Sequence, residues 1–148
     1  VGDVNGKSML AHSAYKQAEI AIKDLVGKEH KGFSEYTVPS GVYTHPEIAS
    51  VGLKEEEARE EYDEVKIGTA PISATGRGYS TGERSGLAKV IEADGKIVGM
   101  HLICPGATDI IMEGTIALEN GMSAEELKDM IHPHPTYSEA LKKAADSI

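Results

Sequence analysis

Apolar positions recur at the helical period over residues 8–27, "SMLAHSAYKQAEIAIKDLVG", where Leu10, Ala11, Ala14, Ala18, Ala21, Ile22 and Leu25 share one broad stripe. That spacing predicts a helix, with Ser8 as its cap and Gly27 in the left-handed position past its end. The polar stretch "KEHKGFSE" then reads as a linker. From Tyr36 onward the pattern changes. "YTVPSGVYTHPEIASVGLK" mixes extended and turn signals, "KEEEAREEY" predicts a short acidic helix touching the core through Ala58 and Tyr62, and "EVKIGTAPI" alternates as a strand. "SATGRGYSTGERSG" is so rich in Gly and Ser that a loop is expected, its Arg77 and Arg84 facing solvent or, less simply, an anion. In "GLAKVIEADGKIVGMHLICPG" two alternating runs flank Asp94-Gly95, a dipeptide suited to a tight hairpin because its central residues need positive φ. Leu87, Lys89 and Ile91 face opposite to Ala88, Val90 and Glu92. Three helices follow: an apolar one ended by Gly121, a short one capped by Ser123 with Glu126, and a closing one over residues 136–148. The last should bury Tyr137, Leu141, Ala144 or Ala145, and Ile148. Strands followed by helices predict an α+β fold, an antiparallel sheet covered by helices on one face.

Composition narrows the function. Fifteen basic against 24 acidic residues give a formal net charge of −9, which opposes nucleic acid or an anionic membrane as a partner. No apolar run approaches the ~20 residues that span a bilayer. Cys104 is the only cysteine, so neither an internal disulfide nor an internal redox pair is available. The chain opens on Val1, Gly2 and Asp3, an unusual start that suggests a piece of a longer protein.

"IHPHPTYSEAL" concentrates the candidate chemistry. Two readings fit it. Thr136 and Glu139 have the spacing of a capping box, with His132 and His134 as polar loop residues between stiffening prolines. Alternatively, His134 is a general base, since imidazole titrates near neutrality, and Glu139 accepts the hydrogen of its far ring nitrogen, fixing the tautomer. The motif fixes no nucleophile nearby. His12, His30, His45 and His101 are scattered without ligand-like spacing, so no metal site is expected.

Three motifs in order carry a resemblance covering nearly the whole chain. "HPHPTYSE" resembles the terminal histidine–glutamate motif "HxHPTxxE" of the FAD-dependent pyridine nucleotide–disulfide oxidoreductases, in particular the dihydrolipoamide dehydrogenase group. "YTHPEIASVGL" resembles the signature that opens their dimerisation domain, and "VGDVNGKSMLAHSAYKQA" the end of their FAD-binding domain. The resemblance implies that residues 1–32 are the remnant of the FAD-binding domain with its linker and residues 36–148 the interface domain. It implies that Asp3, Met9, Leu10, Ala11 and His12 approach FAD, and that the segment from Ala107 to Ile111 starts a helix near a two-fold axis. His134, oriented by Glu139, would take a proton from a dithiol substrate in the other subunit's site. The implied whole is a cytoplasmic homodimer. It oxidises dihydrolipoamide on a carrier protein of a 2-oxoacid dehydrogenase or glycine cleavage complex and passes electrons through a disulfide and FAD to NAD⁺. The departures are a missing Cys-x₄-Cys pair, no G-x-G-x-x-G after a strand, and Pro133 where the family often has a smaller residue. The 148 residues alone are therefore expected to be inactive. The alternatives are a glutathione- or mercuric-reductase-like flavoprotein, or a dimerisation module whose dyad is idle.

Overall fold

Helix α1, Ala11–Leu25, forms where the apolar period lies, yet its polar side is the buried one. Ser13 and Gln17 are out of solvent, whereas Ile22 and Leu25 are 59% and 81% exposed. Gln17 explains the inversion. Its Oε1 accepts hydrogen bonds from the Gly2 N–H at 2.8 Å and Asn5 Nδ2 at 2.7 Å, tying the 3₁₀ turn Gly2–Asn5 to that side. Ser8 does not cap the helix. Leu10 occupies that position, and the Ser8 hydroxyl pairs with the Ser13 hydroxyl at 2.7 Å instead. Gly27 does take the left-handed conformation, with φ 67°.

The computed structural model describes residues 1–148, which divide into two compact units, Val1–Val38 and Pro39–Ile148. No helix is long and apolar enough to cross a membrane. The second unit holds an antiparallel five-stranded sheet built from β1 (Ser40–Val42), β2 (Glu47–Gly52), β3 (Val65–Pro71), β4 (Leu87–Ala93) and β5 (Lys96–Cys104), in the order β1-β2-β5-β4-β3. Asp94 (φ 49°) and Gly95 (φ 70°) make the β4–β5 turn as expected. The register slips by one between Ile91 and Glu92, which leaves Val98 as the extra residue of a bulge.

The two faces of β4 separate as the alternation predicts. Ala88 and Val90 join the main core with Met100 and Leu102 of β5 and with Leu141 and Ala144 of α7 (Glu139–Ala145). Ile91 joins a smaller cluster with Leu53 and with Ala58 of α2 (Glu55–Glu61), backed by Tyr62, Val65 and Val98. Helices therefore touch both faces of the sheet, not one: the buried Ala58 gives even the acidic α2 an apolar foothold. Helix α7 packs so closely on β3 that a Cβ on Gly68 would stand 1.9 Å from the Ala144 carbonyl oxygen.

Three further expectations need correction. The Gly/Ser segment is not a loop. It forms a 3₁₀ turn, Ile72–Ala74, and a helix α3, Gly76–Thr81, because the Thr75 hydroxyl accepts from the Gly78 N–H at 3.0 Å and donates to the Ile72 carbonyl at 2.8 Å. There the Arg84 guanidinium stacks over the Tyr79 ring, 4.5 Å from its centroid. The apolar helix is divided into α4 (Ala107–Ile110) and α5 (Met112–Asn120), with Glu47 Oε2 accepting from the Thr108 N–H at the start of α4. Ser123 and Glu126 cap α6 (Ala124–Asp129) as expected. The closing helix is only α7, and Ile148 beyond it is 36% exposed rather than buried.

Candidate functional site

The loop between α6 and α7 carries both histidines, and its stiffness comes from what each side chain holds. His134 Nδ1 lies 2.9 Å from Glu139 Oε1, and the peptide bond before Pro135 is cis. Glu139 Oε2 accepts from the Thr136 N–H at 2.9 Å. One carboxylate thus performs both tasks read from the sequence, an oxygen for each. The capping box is only half formed, because the Thr136 hydroxyl donates to the Pro133 carbonyl at 2.7 Å and meets the Ser138 hydroxyl at 3.0 Å.

Partial burial is the largest influence on the Glu139 carboxyl and pushes its pKa up. The hydrogen bonds from His134 and the Thr136 amide together outweigh burial and hold it below the ordinary carboxylate range. A carboxylate can only accept, so the near ring nitrogen of His134 carries its hydrogen. In the neutral ring the far nitrogen, Nε2, then bears the lone pair, and the side chain is 71% exposed. Such an arrangement can take a proton from an incoming group and stabilise the resulting imidazolium.

Helix α3, absent from the sequence reading, is half of the mount. Gly76 lies against the ring: a Cβ there would stand 2.8 Å from His134 Cε1 and 3.3 Å from Pro135 Cβ. Thr81 Oγ1 meets the Tyr137 hydroxyl at 2.8 Å. Nothing in the sequence marks Gly76 for this seat.

His132 is the second finding that sequence reasoning missed. Its side chain is 8% exposed, with Nε2 3.3 Å from Glu113 Oε2 and Nδ1 3.3 Å from the Met130 carbonyl oxygen. Burial pushes the Glu113 carboxyl up, while His132 and a hydrogen bond from Ser138 pull it down by less. A signal was available here, since Glu113 is a lone carboxylate inside "IIMEGTIAL". Cys104, by contrast, is fully buried, and desolvation pushes its thiol up to about 12, so it is no nucleophile near neutrality.

The other five candidate residues belong to the first unit and lie about the start of α1. Asp3 is exposed on the 3₁₀ turn, Met9 is 77% exposed, Leu10 is the residue before the first helical turn, and Ala11 and His12 begin that turn. No side chain caps this helix end, and buried Gln17 has no hydrogen-bond partner for its Nε2. The amides at this helix end are donors of the kind that a flavin's carbonyl oxygens and ring nitrogens accept from.

Comparison with known proteins bears on the whole chain. The chain is 43% identical to dihydrolipoyl dehydrogenase of Thermus scotoductus over 151 residues, an alignment taking in 100% of this chain and 32% of that protein. It thus spans about a third of that relative's length. LpdA from Mycobacterium tuberculosis superposes with a TM-score of 0.90 at 26% identity, covering 98% of this chain and 32% of that one. RclA from Escherichia coli, an HOCl-induced flavoprotein disulfide reductase, follows at 0.89 and 26%, covering 99% and 34%. The family model of the pyridine nucleotide–disulphide oxidoreductase dimerisation domain matches residues 38–145. With that match over most of its length, the chain belongs to the pyridine nucleotide–disulphide oxidoreductases and contains their dimerisation domain.

Proposed function

We propose that this chain is the C-terminal part of a dihydrolipoyl dehydrogenase that works as a cytoplasmic homodimer. Residues 1–32 close its FAD-binding domain and residues 36–148 form its interface domain. The observation that supports this best is the Nδ1–Oε1 contact of 2.9 Å, which leaves Nε2 of His134 open for a proton. His134 Nε2 takes the proton of a dihydrolipoamide thiol, and the thiolate so formed attacks one sulfur of a disulfide contributed by chain outside these residues, breaking that S–S bond and releasing the other sulfur as a thiolate. The second thiol of the substrate then displaces the first sulfur, which closes the substrate disulfide and leaves the protein's pair reduced. Glu139 stabilises the imidazolium until the proton is returned. Asp3, Met9, Leu10, Ala11 and His12 hold the flavin edge. FAD, when bound, carries the electrons onward to NAD⁺. The carrier would be a lipoyl protein of a 2-oxoacid dehydrogenase or glycine cleavage complex. Cys104, buried and poorly ionised, takes no part, so these 148 residues do not complete the reaction alone.

The likeness to RclA favours a second reading, a flavoprotein disulfide reductase with another substrate. A chimera separates the readings. This chain would replace the matching third of the Thermus scotoductus enzyme, and dihydrolipoamide-dependent NAD⁺ reduction would be measured. Turnover is expected, and His134→Gln should lower it by about 10²–10⁴-fold, the usual worth of an acid–base group, with FAD retained. Near-parental turnover in His134→Gln would overturn the assigned role. A folded, FAD-loaded chimera without lipoamide turnover would favour the second reading or an idle dyad.

A further inference from the structure

The sheet face that carries α2 is covered at one end only. There Gly52, Gly99, Ile91 and Ile67 lie in register, and Ile91 and Ile67 pack with Leu53 and with Ala58 of α2. Two residues along each strand stand Ser40, Ser50, His101, Lys89 and Thr69, polar side chains of the kind an antiparallel sheet turns to water. Two residues further the character reverses. Val42, Ile48, Ile103, Leu87 and Pro71, one from each strand, are partners in register across the whole sheet. Nothing covers them: Pro71 is exposed, and the other four are between 37% and 48% exposed. At ~4.8 Å between strands the row runs roughly 20 Å. A recess of about 290 Å³ opens between this row and the start of α2, lined by Leu87, Ile103, His101, Lys89, Lys54 and Glu55.

Single apolar side chains on a surface are ordinary, but five abutting ones beside a polar row mark a surface that another element covers. A second copy of the chain is the poorer occupant. The apolar groove with Ile116, Met130 and Ile131 lies on the opposite side of the sheet, where α5 packs its Gly114 against Val51 and Met100. A pair closed about a two-fold axis uses one self-complementary patch on each copy, and copies bound on both sides would grow into an open array. Most of the protein, in contrast, lies outside these residues: the alignment with the Thermus scotoductus enzyme takes in only 32% of that relative. Chain of the same polypeptide is tethered to the sheet, so it docks at a high effective concentration without the cost of recruiting a free partner.

We propose that the row from Val42 to Pro71 is the seat of the part of the same polypeptide that precedes Val1. This rests on reading the chain as the C-terminal part of a longer flavoenzyme. The helix side of the sheet is then left to the second copy.

Photo-cross-linking in the FAD-loaded chimera with the Thermus scotoductus enzyme tests the assignment. The photoreactive residue p-benzoylphenylalanine replaces Val42 in one sample and Leu87 in another, the second serving where the first prevents FAD loading. A control carries it at Glu60, exposed on α2. After irradiation, the product should keep the mass of one chain on a denaturing gel, and its linked peptide should come from the Thermus-derived two thirds. The control should give at least tenfold less of that product. A product of doubled mass overturns the proposal in favour of a second copy. Links confined to the 148 grafted residues, or a yield no higher than the control's, overturn it as well. Turnover is read separately. A chimera that oxidises dihydrolipoamide but cross-links at doubled mass removes only this inference. A single-mass link to the Thermus-derived part in a chimera without turnover removes the lipoamide reading and leaves this one standing.

Discussion

Glu139 divides its two oxygens between an imidazole and an amide, and that division has a measurable pH signature. Its carboxyl is held below the ordinary range in the fold, so ionised Glu139 contributes stability that is present above the unfolded pKa of ~4.3 and fades as pH falls through the lower folded value. Glu139→Gln should therefore lower the urea midpoint at pH 7, with the gap to the parent closing in acid. A gap that stays constant down to about pH 3 would mean the ionised form has no special role. Gly76 offers a cleaner probe of chemistry apart from stability. Alanine is compatible with a helix start, so the 2.8 Å conflict with His134 Cε1 falls on the ring. Gly76→Ala in the chimera should keep stability within about 1 kcal/mol yet lower kcat/KM by about 10- to 100-fold, the scale of an ångström of misplacement. Unchanged kcat/KM would show that the seat does not position the ring.

Among the elements, those defined by contacts along the chain were legible and those defined by distant contacts were not. Asp94-Gly95 announced its hairpin and Ser123–Glu126 its capped helix, because both signals are local. So was the pairing of His134 with Glu139, five residues apart within one turn of chain. Helix α3 was hidden by glycines that usually disfavour helix, since its stability comes from the Thr75 cap and from Tyr137 across the loop. The amphipathic stripe of α1 was visible, but the burial of Gln17 depended on Gly2 and Asn5, which no periodicity reveals. His132 escaped for the same reason, its partner lying 19 positions away on α5. Glu92 belongs with these. It is 7% exposed at the end of β4, and its Oε2 accepts from the buried Ala124 N–H at 2.9 Å, while Lys66 stands 3.5 Å from Oε1. It joins sheet to helix by satisfying the first amide of α6, where the positive helix end also favours an anion. Glu92→Ala should cost about 1–3 kcal/mol, the desolvation of an amide left without a partner. Glu92→Gln, which keeps the acceptor, should cost less. Equal losses in urea denaturation would place the effect in packing rather than in that bond.

At the scale of the whole molecule, apolar surface and net charge oppose each other. Ile131 is 98% exposed, Ile116 50% and Met130 47%, and the three line one groove of 230 Å³ with Leu127, Met122 and Pro133. Isolated apolar side chains on a surface need no explanation, but a contiguous set around a groove marks a surface that binds. A second copy of the chain is the partner proposed for it. Two copies each carrying −9 repel one another, and salt screens that repulsion while leaving apolar burial intact. Self-association should therefore tighten as salt is raised from about 0.05 to 0.5 M, where the Debye length falls several-fold. This is the reverse of what an interface held by ion pairs would do. Ile131→Asp puts a charge into the groove and adds to the repulsion, so it should weaken association by at least tenfold, or about 1.4 kcal/mol. It should leave the urea midpoint unchanged, because a side chain that exposed carries no folding core. Sedimentation equilibrium at micromolar concentration reads both effects. A monomer at every salt concentration, or an Ile131→Asp chain that associates as well as its parent, would remove this groove from the dimer.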